Sequence, residues 1–353
     1  MQVTRSRTAI GDAGLELASE GAHHRPGGGF RNPWFTNRSA RFGGFLRWVL
    51  VERPFTKLPR DPDPSVFERK SPSFANPRAR PGELTVTWVG HSTVLLQIGA
   101  VNVLTDPMWS ERASPLAFAG PKRWVPPGIA FDQLPPIDVV VQSHNHYDHL
   151  DARTVVKIAD AFPSATWMVP LGLAEFVRAR GATRVVELDW WGDTRAAELR
   201  VTCVPAQHFS GRGFGDRNAT LWSGWTLADD RRGVLFAGDT GYHPEFGAIG
   251  RRLGPFDVAL MPVGAYEPEW FMRPAHMNPD EAVRAFRELI GDAAGIGNRR
   301  RVMVPIHFGT FKLTDEAMDE PPAWTRRAWR EAGLDGRDLW LLAHGETRSF
   351  SGS

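Results

Sequence analysis

The chain has 353 residues, 42 % hydrophobic and 23 % charged, which is enough apolar material for a large core and too little charge for bulk disorder. Its 42 basic and 40 acidic residues leave a formal net charge of +2, so no global basic field points to nucleic acid. Cys203 is the single cysteine, which excludes an intramolecular disulfide; inside the apolar run 199–204 it reads as a buried, inert thiol.

Residues 1–30 are polar and Gly-rich and read as a flexible N-terminal arm, with His23 and His24 solvated rather than metal-bound. Residues 31–353 read as one catalytic domain, with 31–80 an extension packed on it. Within the extension, FGGFLRWVLV (42–51) places apolar residues on one face of a short helix. That face either packs on the domain or lies on a membrane, with Arg41, Arg47 and Arg53 near lipid headgroups. The N-terminus lacks the apolar stretch of a secretory signal, and no run of about 18 apolar residues occurs. Cytoplasmic residence is the expectation, with peripheral membrane contact and oligomeric state left open.

From residue 83 the pattern changes to short strand runs: LTVTWVG, STVLLQIG, VNVLTD and then IDVVVQ. A helix follows over 152–161, then a strand (ATWMVP), a helix over 173–180 and the strands RVVELD, LRVTCVP, LWSGWTL and GVLFAGD. Asn278 can cap a helix over 278–289, with Pro279 in its first turn and Asp280 and Glu281 at its positive end. RVMVPIH closes as a strand and 322–332 reads as a helix. Strands clustered first and then mixed with helices predict two sheets flanked by helices.

The chemistry concentrates directly after IDVVVQ, in SHNHYDHL. His144, His146, Asp148 and His149 put four metal-competent side chains on one loop, and imidazole with carboxylate suits zinc and similar divalent ions. His144 and His146, two apart, can point the same way, while Asp148 and His149 reach toward a second ion. His208, Asp239 and His307 each follow an apolar strand, where strand ends present ligands. Singly they are ordinary; in order behind the first cluster they complete two coordination shells.

These motifs resemble the metallo-β-lactamase superfamily. TWVGHSTVLLQIGAVNVLTDPMWSERASPLAFAGPKRWVPPGI, PAQHFSGRG, FAGDTGY, EPEWFMRPAHMNPDEAV and IHFGTF are similar to the branch of N-acylphosphatidylethanolamine-hydrolysing phospholipase D, over roughly residues 30–345. The resemblance implies an α/β fold, an αββα sandwich of two mixed sheets, with two metals at one edge. It implies one metal held by His144, His146 and His208, a second by Asp148, His149 and His307, and Asp239 bridging. Paired ions of this kind, about 3.5–4 Å apart, make hydroxide available near neutral pH and bind phosphodiester oxygens.

Candidate catalytic groups are Asp148, His276 and His344. His276, before the cap at Asn278, suits phosphate contact or proton transfer to the leaving oxygen. His344 ends a strand near the C-terminus, where a family histidine approaches the cleft. Asp106 in LTDP matches a carboxylate that supports the ligands. The resemblance also implies that His91 in GHST faces the site from a neighbouring loop, and His243 reads as structural. The 14 tryptophans fit a tryptophan-rich core, or a groove for acyl chains where exposed.

The expected activity is a binuclear phosphodiesterase of phospholipase D type, acting through a metal-bound hydroxide on N-acylated phosphatidylethanolamine or a related phospholipid. The expected cofactors are two divalent ions, zinc first, with iron and manganese also compatible. The same ligands serve hydrolysis of a soluble lactone, ester or sugar phosphate. A non-catalytic metal-binding protein is the third alternative.

Overall fold

A strand covered on both faces needs apolar side chains on both, and the central strands meet that demand. In Thr93–Ile98, Val94, Leu96 and Ile98 enter one core cluster while Leu95 enters another. Val139 and Val141 likewise face opposite to Val140. This alternation follows from the two-residue period of a strand. It is what sandwiches a sheet between a partner sheet and a helical layer.

The computed structural model describes residues 17–19, 21–34, 42–213, 215–291 and 300–350. Leu84–Gly90 (β1), Thr93–Ile98 (β2), Val101–Thr105 (β3), Val139–Val141 (β4), Thr166–Pro170 (β5) and Arg184–Leu188 (β6) build most of the first sheet. Asp193–Ala196 (β7), Leu199–Val204 (β8), Gly224–Ala228 (β9), Gly233–Phe236 (β10), Val258–Pro262 (β11) and Val302–Ile306 (β12) build the second. Thr347–Phe350 (β13) returns to the first sheet beside β1. Among the described residues the orders are β13-β1-β2-β3-β4-β5-β6 and β12-β11-β10-β9-β8-β7. Both sheets are mixed: β3 to β6 run parallel and β1 to β3 antiparallel, while β10 to β12 run parallel and β7 to β10 antiparallel.

The first helical layer comprises Ala152–Ala161 and Ala174–Arg178, whose Val155, Ile158 and Val177 pack against Leu104, Val140 and Trp167. Phe246–Leu253, Pro279–Ile290 and Glu320–Glu331 cover the second sheet through Phe246, Phe286 and Trp329. The expected αββα sandwich is therefore the architecture found. Asn278 caps its helix as expected: it accepts from the Glu281 N–H at 2.9 Å, and Glu281 accepts from the Asn278 N–H. Cys203 is buried, and burial pushes its thiol well up from its ordinary value.

Two expectations about the N-terminal third need correction. His23 is not solvated: it is 5 % exposed, stacked on Trp190, and bonded to Asp189 at 2.7 Å. Asp189 lies just past β6, so a partner far along the chain supplies the burial that local composition did not suggest. Residues 1–16 and 20 of the expected arm lie outside the described residues, as does Arg41. The run 42–51 is not one regular helix, since Phe42–Leu46 is α-helical and Arg47–Glu52 is π-helical. Trp48 is buried and its indole N–H donates to Asp315, whereas Phe45, Leu46, Leu50, Val51 and Phe55 are exposed. Arg47 pairs with Glu52 and Arg53 with Asp315, so neither is a free cation. Among the described residues no helix is long and apolar enough to cross a membrane.

Candidate metal centre

The seven candidate ligands, with His91 and Asp106, come from loops at strand ends along one edge of the sandwich. The turn after β1 carries His91, the end of β3 carries Asp106, and β4 runs into Gln142, Ser143 and the HNHYDH loop. His208 follows β8, Asp239 follows β10 and His307 follows β12. Strands thus bring together residues as far apart in the chain as His91 and His307.

His144 Nε2 and His208 Nε2 lie 2.9 and 3.1 Å from His146 Nδ1, three imidazole nitrogens facing one point. Beside them, Asp239 Oδ2 is 3.1 Å from His149 Nε2, 3.0 Å from His307 Nε2 and 3.8 Å from His208 Nε2. Asp148 Oδ2 lies 3.3 and 3.5 Å from the same nitrogens of His149 and His307. The seven sequence-predicted ligand side chains are therefore gathered, and Asp239 stands between the two groups.

The far nitrogens are held. His149 Nδ1 is 2.6 Å from Asp106, His144 Nδ1 is 2.8 Å from Ser143 Oγ, and His208 Nδ1 is 2.9 Å from the Ala275 carbonyl. Such partners fix the ring orientation and tautomer that a metal ligand needs. Asp106 is fully buried and also accepts from Ser143 N–H and Gln142. Burial pushes its carboxyl up, against the pull of His149 and Ser143.

Local backbone strain marks the same edge. His91, Asp106 and His307 adopt φ of 55°, 31° and 62°, a region that costs a non-glycine residue of order 1–3 kcal/mol and clusters at functional sites. Gly238, at φ +64°, could not carry a side chain, because a Cβ would sit 2.7 Å from the Ser143 side chain and the Ser223 carbonyl. That close approach lets Asp239 reach the ligand loop.

Electrostatics favour cation binding. Burial lowers the imidazoles of His144, His146, His208 and His276, the second and last to about 4, which keeps their lone pairs free. Burial opposes ionisation of Asp148 and Asp239, yet both stay well below the usual carboxylate range because His149 and His307 surround them. His149 and His307 are raised despite burial, His307 to about 9, by the Asp239 and Asp148 charges. The two carboxylates demand positive charge at this point. Divalent ions meet that demand with neutral imidazoles. The Nε2 atoms of His149 and His307 and Oδ1 of Asp239 are buried without hydrogen-bond partners, which is costly unless something else satisfies them. The donor set therefore fits divalent cations, and its nitrogen and oxygen ligands suit zinc, iron or manganese.

Of the accessory residues, His276 lies against the site, its Nδ1 unpartnered and 3.9 Å from Asp239. His91 lies at the cluster itself: it sits 2.9 Å from Asp148, its ring centroid is 4.1 Å from that of His307, and burial lowers it to about 3. His344 does not join the cluster. It stacks on Trp88, sits 3.1 Å from Thr310 Oγ1, and through that hydroxyl backs the His91 N–H. No strand ends at His344: it lies in an irregular segment before β13, bridged to Arg69, and packs behind His91 rather than among the candidate ligands. His243 is buried between Trp34 and Phe246, a structural position. Trp88, Trp222 and Trp225 belong to the core, while Trp109, Trp124 and Trp270 are half-buried.

Sequence reasoning missed Asn32, Ser143 and Arg212. The Arg212 guanidinium donates to the Asn145 and Leu150 carbonyls and lies over the Tyr147 ring, bracing the ligand loop from beneath. Its neighbour, a cavity of about 390 Å³, is lined by Tyr147, Leu150 and the guanidinium-bearing residues 112, 153, 180 and 212. No motif announces these contacts; only the loop's position in PAQHFSGRG, near His208, hinted at one.

Comparison with known proteins assigns the family. Residues 101–308 match the family model of the beta-lactamase superfamily domain. The chain is 44 % identical to an uncharacterised protein of Mycobacterium tuberculosis over 78 % of its own length and 70 % of the relative's. It is 40 % identical to N-acyl-phosphatidylethanolamine-hydrolyzing phospholipase D 1 of Caenorhabditis elegans, over 83 % of this chain and 84 % of that one. A metallo hydrolase from the archaeon Ignicoccus hospitalis superposes with a TM-score of 0.55 at 22 % identity, covering 77 % of this chain and all (100 %) of that chain, a likeness of fold. The chain belongs to the metallo-β-lactamase superfamily, as a metal-dependent hydrolase in a branch similar to the N-acylphosphatidylethanolamine-hydrolysing phospholipases D.

Proposed function

We propose that the protein is a two-metal phosphodiesterase of phospholipase D type, acting on N-acylated phosphatidylethanolamine or a related phospholipid. The observation that carries this reading is the 40 % identity to the Caenorhabditis elegans phospholipase across 84 % of that enzyme, with the seven candidate ligands gathered as above.

Bound divalent ions would supply Lewis-acid activation of water and of the phosphoryl oxygens. In this reading His144, His146 and His208 hold one ion, Asp148, His149 and His307 the other, and Asp239 is shared. Asp106 and Ser143 orient His149 and His144. His276, buried and unpartnered at Nδ1, binds a phosphoryl oxygen or holds the proton that the leaving alkoxide takes. His344 positions His91 through Thr310 and touches no reacting atom.

Two further features support a phospholipid over a small soluble ester. The four guanidinium groups beside the ligand loop favour an anionic headgroup. The exposed Phe45, Leu50, Val51 and Phe55 form an apolar patch of the kind that sits in a lipid interface.

The test is a substrate-class screen on metal-loaded protein, with His146→Ala as blank. Release of phosphatidic acid from N-acylated phosphatidylethanolamine supports the reading. Turnover of a soluble lactone, ester or sugar phosphate without lipid hydrolysis rejects it. Full metal content with no hydrolysis of any class makes the protein a binding module.

A further inference from the structure

We propose that His23, His24 and Asp189 form a separate divalent-cation site, a zinc-type centre that fastens the N-terminal segment to the catalytic layers. It is distinct from the catalytic cluster and shares no residue with it.

Neighbouring residues of an extended chain point to opposite sides. His23 and His24 do not. A turn closed by the His24 N–H on the Gly21 carbonyl swings both rings to one side, with centroids 4.3 Å apart. Each Nε2 then lies 2.7 Å from a different oxygen of Asp189. Asp189 is itself aimed by the Trp190 N–H, which donates to its Oδ1 at 2.8 Å. Trp190 in turn stacks on His23 with centroids 4.2 Å apart, fixing that ring. Two imidazoles and a carboxylate, oriented by backbone and an aromatic wall, are a recurrent half-shell for zinc.

The spacing fits an ion. Zinc bonds of about 2.0–2.2 Å in a tetrahedral shell separate donors by roughly 3.3 Å. To admit an ion, the 2.7 Å contacts at Asp189 lengthen by about 0.6 Å, and the 2.9–3.1 Å contacts among His144, His146 and His208 by about 0.2–0.4 Å. The His24 and Asp189 side chains are 43 % and 39 % exposed, so an ion can enter and water can complete the shell.

The site has a structural consequence. The Arg31 N–H donates to the His23 carbonyl, and one residue on, Asn32 holds the backbone of His208. An ion at Asp189 would therefore tether the strap that steadies a catalytic ligand.

The test compares zinc content of the full chain with that of Asp189→Asn and His24→Gln after equilibration with excess zinc and gel filtration. Asn keeps a hydrogen-bond acceptor but removes the anionic ligand; His24 is exposed enough to replace without unfolding. The proposal predicts one zinc fewer per chain in each variant than in the wild type. It also predicts that zinc slows tryptic cleavage after Arg31 in the wild type and not in the variants. Because the readout is a difference, it does not depend on how many ions the catalytic cluster holds or on its substrate. Equal zinc content in all three proteins, with zinc-independent cleavage, overturns the proposal and leaves a hydrogen-bonded clasp.

Discussion

Asn32 grips the backbone of His208 from both sides: its amide donates to the His208 carbonyl at 2.8 Å, and its side-chain oxygen accepts from the His208 N–H at 3.2 Å. A segment near the N-terminus thereby fixes a candidate metal ligand more than 170 residues away. Asn32→Ala removes both bonds. Each is worth about 0.5–1.5 kcal/mol, so the variant should unfold at a lower temperature. Loosened placement of His208 should also lower metal affinity or kcat/KM by about tenfold, at the low end for supporting residues. Chelator competition and steady-state kinetics check this; wild-type values for both would show that the grip is incidental.

Asp106 is the acceptor that orients His149. In Asp106→Asn, one side of the new amide would meet the Ser143 donors with its own N–H groups. Metal affinity or activity should fall about 10–100-fold. Zinc titration against a chromophoric chelator measures the first and phosphodiester hydrolysis the second. Unimpaired binding of metal by this variant would contradict the orienting role.

Metal removal should destabilise the fold. The catalytic cluster buries like-facing nitrogens and two carboxylates that only cations compensate well. An ion present at 100 times its Kd adds about 2.7 kcal/mol. Dialysis against a chelator should therefore lower Tm, and zinc should restore it along with turnover. An unchanged Tm with full loss of metal would mean that the cluster is self-sufficient.

Asp189 gives a pH signature. Its carboxyl lies near 2 in the folded protein, below its ordinary value of 3.8. A depressed carboxylate contributes stability that is fully present above its unfolded pKa and is lost as pH falls through the folded pKa. The wild type should be more stable than Asp189→Asn above about pH 4, and the gap should close toward pH 2. Urea melts across that range measure it. A gap independent of pH would remove the ionised carboxylate from the account.

The exposed apolar patch separates lipid contact from chemistry. Leu50 and Phe55 are 64 % and 88 % exposed. Replacing both by Asp removes burial worth roughly 1.5–3 kcal/mol per side chain at an interface. Turnover of vesicle-borne substrate should drop at least tenfold while hydrolysis of a soluble phosphodiester is retained. Equal losses on both substrates would remove the membrane role.

The candidate ligands were legible because the loop HNHYDH is dense and each later candidate follows an apolar strand, and the structure gathers these side chains. The sheets were legible where alternation is strong, as in β2. Three strands escaped. β7 (DTRA) and β13 (TRSF) are polar edge strands, and β11 (VALMP) is buried on both faces and so shows no alternation. The helix Phe246–Leu253 carries Gly247 and Gly250, poor helix formers tolerated because Gly250 lies against the Leu289 backbone. The Asn32–His208 and His23–Asp189 contacts leave no mark in spacing, since 176 and 166 positions separate the partners. Tertiary contact alone creates them.

If two groups of side chains sharing Asp239 hold a pair of cations, anomalous diffraction at the zinc edge from zinc-loaded crystals should show them. Within the cluster at the sheet edge two peaks are expected about 3.5–4 Å apart, one against His144, His146 and His208 and one against Asp148, His149 and His307, with Asp239 touching both. A single peak in the cluster, or none, would contradict that pairing.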